Sequence, residues 1–151
     1  MEIKAILNKP YTEEERLNFI IEYNHNIGYE IKEAENALEA WGYTKEELAY
    51  QEKERIGNLY LTGADVERGI YQAKGMDFDD ILAYVAQLQP QGLDIKALKI
   101  ELKANHFYRG NPYVSAIGQL LGFSEEQLDE FFETNDYKVL LPVEEETTTE
   151  I

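Results

Sequence analysis

The stretch Leu38-Glu39-Ala40-Trp41-Gly42-Tyr43-Thr44-Lys45-Glu46-Glu47-Leu48 reads as a helix, a corner and a second helix. Gly42 can take the left-handed conformation that ends a helix. Thr44 stands as an N-cap, and Glu47 three residues on completes a capping box. Tyr43 and Leu48 occupy the two ends of a hydrophobic staple. The same wording recurs at Gly122-Phe123-Ser124-Glu125-Glu126-Gln127-Leu128 and at Gly75-Met76-Asp77-Phe78-Asp79-Asp80-Ile81. Gly92-Leu93-Asp94-Ile95-Lys96-Ala97-Leu98 lacks the reciprocal acid, and Gly28-Tyr29-Glu30 is a fainter version. The corners are irregularly spaced, which excludes a fixed-period solenoid. This punctuation sets the expected fold: all-α, a compact bundle of seven to eight short helices joined by glycine corners.

Outward from that stretch, Thr12-Glu13-Glu14-Glu15 is another capping box, opening a helix through Leu17, Ile20 and Ile21 to about Asn26. Ile31, Ala34, Leu38 and Trp41 recur at helical spacing and predict a second helix from about Glu30. The helix after Thr44 is rich in Glu and Lys, so most of its surface should be wet. Thr62, Asp77, Asp94, Asn111 and Ser124 cap the later helices, with Pro112 at the first helical position that proline favours. His106-Phe107-Tyr108-Arg109-Gly110-Asn111-Pro112 reads as a loop. Glu2 to Leu7 and Lys138 to Leu141 read as brief extended segments, which predicts a small two-stranded β-pair joining the termini. Residues 1–142 are expected to form a single helical domain, and the run from Val143, with Glu144, Glu145, Glu146 and Glu150, a disordered acidic tail.

Thirty acids against 14 bases give a net charge of −16. Nucleic acids and anionic membranes both require a basic footprint, so direct binding of either is disfavoured. Solubility explains the excess through acids spread over exposed faces. The sharper alternative is a mimic of nucleic acid that inhibits a DNA-handling enzyme, since duplex DNA carries one charge per ~1.7 Å. With no cysteine, disulfides, cysteine-ligated metals and cysteine nucleophiles are excluded. Apolar runs are too short for a membrane span, and Met1-Glu2-Ile3-Lys4 lacks the layout of a signal peptide.

No converging catalytic set is visible. His25 and His106 are the two histidines. His25 has Glu22 three residues before it but no further ligand at metal spacing, and reads as a helix-end residue. Asp77, Asp79 and Asp80 fail the calcium-loop pattern and fit first-turn acids. A helix–corner–helix over Ile117 to Phe132 would carry Glu125, Glu126, Asp129 and Glu130 toward phosphates, so a DNA-reading role is rejected. The expected candidate partner-binding residues are His106, Phe107, Tyr108, Arg109 and Tyr113, types enriched at interface hot spots. The bland reading of the same run is a loop whose aromatics dock on the core while Arg109 pairs with nearby acids. No metal and no cofactor are expected. An enzyme built on scattered carboxylates is the remaining class.

Asn8-Lys9-Pro10-Tyr11-Thr12-Glu13-Glu14-Glu15-Arg16-Leu17-Asn18-Phe19-Ile20-Ile21-Glu22-Tyr23-Asn24-His25-Asn26 resembles the start of uncharacterised small acidic proteins of bacteriophages and prophages. Phe107-Tyr108-Arg109-Gly110-Asn111-Pro112-Tyr113 is similar to a later part of them. The resemblance implies a phage-associated, non-enzymatic protein and transfers no functional residues. The expected function is therefore a structural or protein-interaction role with a phage or host protein partner, with homo-oligomerisation allowed. The expected place is the cytoplasm of the bacterial host or the virion.

Overall fold

The computed structural model describes residues 1–142, and the acidic run from Val143 lies outside the described residues. The chain divides into two compact units, Met1–Lys53 and Glu54–Ile151. Among the described residues there are seven α-helices, within the expected number, and five strands in two small antiparallel sheets. The fold is therefore α+β, and the all-α expectation is corrected.

In the first unit, β1 (Glu2–Asn8) is followed by α1 (Glu13–Ile20), which continues into a π-helical segment, Ile21–Asn26. The Thr12 capping box is present with both reciprocal bonds. β2 (Glu30–Glu33) and β3 (Ala37–Gly42) then form a hairpin, and β1 pairs on the other side of β3. This hairpin replaces the second helix expected over Glu30 to Trp41. Ile31, Ala34, Leu38 and Trp41 fit a helical stripe, but in the folded chain burial alternates from Leu38 to Gly42. Leu38 and Ala40 are buried while Glu39 and Trp41 are only half-buried. Pairing of β3 with strands on both sides overrides the helix propensity of its Leu, Glu and Ala residues.

Gly42 ends that strand rather than a helix, and it does not adopt the left-handed conformation. A Cβ there would lie 2.7 Å from the Tyr29 ring, so the position is small because a side chain crosses it. Phe19 of α1 packs on Leu38 and Ala40, with Leu7, Tyr23 and Ile31 around them. Thr44 does cap the next helix, α2 (Lys45–Gly57), through a capping box with Glu47. As expected of its composition, α2 buries no residue. The division between the units falls within it.

The second unit holds β4 (Tyr60–Thr62), α3 (Gly63–Lys74), α4 (Phe78–Leu88), α5 (Ile95–Glu101), β5 (His106–Tyr108), α6 (Pro112–Leu120) and α7 (Glu125–Thr134). Thr62, Asp77, Asp94, Asn111 and Ser124 all cap as their sequence positions predict. Gly75 and Gly122 turn the chain at φ 72° and 85°, conformations that disfavour a side chain. Ile81, Val85, Leu98 and Phe131 are the deepest core residues, with Leu61 and Phe107 inserted from the strands. The segment expected to extend near the C-terminus is instead a 3-10 turn, Tyr137–Leu140, burying Leu140. The expected β-pair of Glu2–Leu7 with Lys138–Leu141 does not form, because the latter segment is not extended; β1 pairs with β3 instead.

Candidate functional site

The run expected to be a loop begins as a strand. β5 pairs antiparallel with β4, matching Tyr60 to Tyr108, Leu61 to Phe107 and Thr62 to His106. Flanking backbone bonds, Arg109 N–H to the Leu59 carbonyl (2.8 Å) and Gly63 N–H to the Asn105 carbonyl (2.8 Å), fix the register. By the alternation of an antiparallel ladder, Tyr60/Tyr108 and Thr62/His106 fall at the closer, non-hydrogen-bonded positions. Period-two alternation then sends Leu61 and Phe107 inward and Tyr60, Thr62, His106 and Tyr108 outward.

The outward side chains form an aromatic ridge. The Tyr60 ring lies 5.7 Å from Tyr108 and 5.5 Å from His106, the latter edge-on. Such pairs contribute about 0.5–1.5 kcal/mol beyond their buried area. Yet Tyr60 remains 56% and Tyr108 53% exposed, so the rings hold one another while most of their faces stay open to water.

The five residues singled out from sequence thus separate. His106 and Tyr108 share the ridge. Phe107 is buried in the core, edge-on to Phe78 at 5.9 Å. Tyr113, in the first turn of α6, is partly buried against that core. Arg109 is the one charged residue buried among the described residues. Tyr60 was missed, and a three-residue strand leaves too short a pattern to have found it.

Arg109 fastens the end of β5 to the α6–α7 hairpin. Its Nε donates to Asp129 Oδ1 at 2.7 Å and its Nη1 to Ser115 Oγ at 2.9 Å. Nη2 donates to the Glu125 carbonyl at 3.3 Å and to Glu125 Oε2. Ser115 Oγ and Gln119 Nε2 donate in turn to the same carboxylate, at 3.1 and 3.3 Å. The Arg109 guanidinium, opposed by partial desolvation, holds the Glu125 carboxyl below the usual carboxylate range. Every fork of the guanidinium is engaged, so Arg109 acts as a brace beneath the ridge rather than a hook for a partner.

Among the described residues no three or more His, Asp or Glu side chains gather as a metal-binding group, and no helix is long and apolar enough to cross a membrane. His25 lies exposed in the π-helical segment, whose end is held by Asn24 Nδ2 donating to the Tyr29 carbonyl. The core of the second unit contains a cavity of about 50 Å³ lined by apolar side chains with Glu101 beside them. That is far below the roughly 300–1,000 Å³ typical of ligand pockets. Comparison with protein-family models, with curated proteins and with solved structures found no match.

Proposed function

We propose that the chain is a phage-encoded, non-catalytic protein-interaction module, acting in the bacterial host or the virion, that docks a protein partner through the Tyr60–His106–Tyr108 ridge. The observation that carries this reading is the ridge itself: exposed aromatics clustered on a paired ribbon whose inner residues are locked into a core and whose end is tied down by Arg109. Rigid aromatic side chains of this kind give contact area at low entropic cost. The phage association rests on the sequence resemblance alone.

Imitation of nucleic acid is the weaker reading. α7 carries Glu125, Glu126, Asp129, Glu130 and Glu133, but Arg109 takes Glu125 and Asp129, and Arg55 takes Glu133 at 2.9 Å. The strip of charge is therefore interrupted. Affinity capture from phage-infected cells, with the native chain and a Tyr60→Ala/Tyr108→Ala variant, tests the proposal. A partner held by the native chain and lost from the variant, at unchanged melting temperature, is expected. A partner retained equally by both would remove the ridge from the interaction.

A further inference from the structure

We infer that the segment docking on the ridge is cationic, a stretch of the partner protein presenting arginine or lysine side chains to the faces of Tyr60 and Tyr108. This deepens the interaction reading and rests on it. The outward residues of the ribbon are Tyr60, Thr62, His106 and Tyr108, and each carries a polar atom. The aliphatic and fully apolar side chains of the two strands, Leu61 and Phe107, point the other way and are buried. An apolar helix seeking a greasy groove finds none here, whereas aromatic faces open to solvent attract cations through the ring quadrupole.

The chain already uses that attraction internally. Lys32 Nζ lies 4.6 Å from the Trp41 ring centre and Lys74 Nζ 5.4 Å from that of Phe123. Charge agrees with it. The chain carries a net −16, which draws a basic segment and repels an acidic one. Arg109, directly after Tyr108, does not spoil this, because two carboxylates cancel it. At the other end, Asp65, whose backbone N–H donates to the Thr62 hydroxyl at 3.1 Å, is itself paired with Arg68 at 3.1 Å, so that pair adds no net charge beside the ridge. Exposed Lys103, three residues before His106, is the opposing charge in that stretch.

The test uses the full chain and three ten-residue probes of alternating sequence, Arg-Gly, Lys-Gly and Gln-Gly, titrated calorimetrically at low and moderate salt. General attraction to an acidic protein is separated from docking by Tyr60→Leu and Tyr108→Leu, which keep the charge and remove the rings. Both positions are exposed, and unchanged circular dichroism confirms the fold. Each substitution is expected to weaken Arg-Gly binding about two- to five-fold, the exposed cation–π range. Tyr60→Phe and Tyr108→Phe should retain it, and Gln-Gly should not bind. Equal Arg-Gly affinity for the native chain and the double Leu variant overturns the inference. So does ridge-dependent binding of Gln-Gly as tight as that of Arg-Gly. In either case a partner still captured through Tyr60 and Tyr108 would leave the interaction reading standing, whereas capture indifferent to both rings would end that reading separately.

Discussion

Replacing Arg109 with methionine keeps much of the side-chain volume and removes the brace. The guanidinium is buried, with 8% of its side-chain surface exposed, and makes charge-assisted bonds to Asp129 and Glu125 plus one to Ser115. Hydrogen bonds to charged groups contribute about 1.5–3 kcal/mol. Breaking a fully buried pair costs about 3–5 kcal/mol, because a bare charge is left behind. Here the orphaned carboxylates are 48% and 37% exposed for Glu125 and Asp129, so water can take over their solvation. The expected loss is therefore about 2 kcal/mol, within the range for hydrogen bonds to charged groups and below that for a fully buried pair. Urea unfolding followed by circular dichroism should show it as a lower midpoint at unchanged slope. A loss below about 0.5 kcal/mol, the level of an ordinary surface change, would refute the brace and make Arg109 a partner-binding candidate again. Acid gives an independent check. Arg109 depresses the Glu125 carboxyl below its ordinary value of 4.5, so the unfolded chain binds its proton more readily than the folded one. The stabilisation is fully present above pH 4.5 and is lost as pH falls through the depressed folded value. The gap between native and Arg109→Met stability should therefore narrow on acidification below that point.

Other substitutions test the packing. A Cβ at Gly69 would sit 2.4 Å from the buried Phe131 ring, so Gly69→Ala should destabilise by about 1–2 kcal/mol despite alanine's better helix propensity, read by thermal melting. Gly42→Ala forces the Tyr29 ring aside and should lower the midpoint of thermal unfolding; an unchanged midpoint would count against that crowding. Ser124→Ala removes a capping box with Gln127 and should cost about 1 kcal/mol in urea unfolding, with Ser124→Asp largely restoring it.

The helices were legible where their starts were written locally. Thr12, Thr44, Thr62, Asp77, Asp94, Asn111 and Ser124 each satisfy orphan donors within the next three residues, so a short window holds the whole signal. Glu2–Leu7 was legible as extended and is part of β1, but which segments the strands pair with was not legible in this way. β1 finds its partner in β3, and β4 finds β5, across long stretches of chain that include whole helices. Nothing local to Ala37–Gly42, rich in alanine, leucine and glutamate, announces that it will be paired on both sides.

An N-cap specifies the helix on its C-terminal side and leaves open the conformation of the chain that enters it. At Thr62 the chain arrives from strand β4 and at Thr44 from strand β3, whereas at Ser124 it arrives from helix α6 through Gly122. Taking Gly42 as a left-handed helix end, which Gly122 is and Gly42 is not, therefore placed a helix over β2 and β3. The two glycines answer different demands: Gly122 supplies a positive φ, and Gly42 leaves room for a ring. The same limit governs the candidate site. His106 to Tyr113 shows the right residue types together, but which of them face water depends on β5 pairing with β4, and only that pairing brings Tyr60 to the ridge and sends Phe107 beneath it. Sequence could place the aromatics in one neighbourhood. Their division into ridge and core is a property of the sheet.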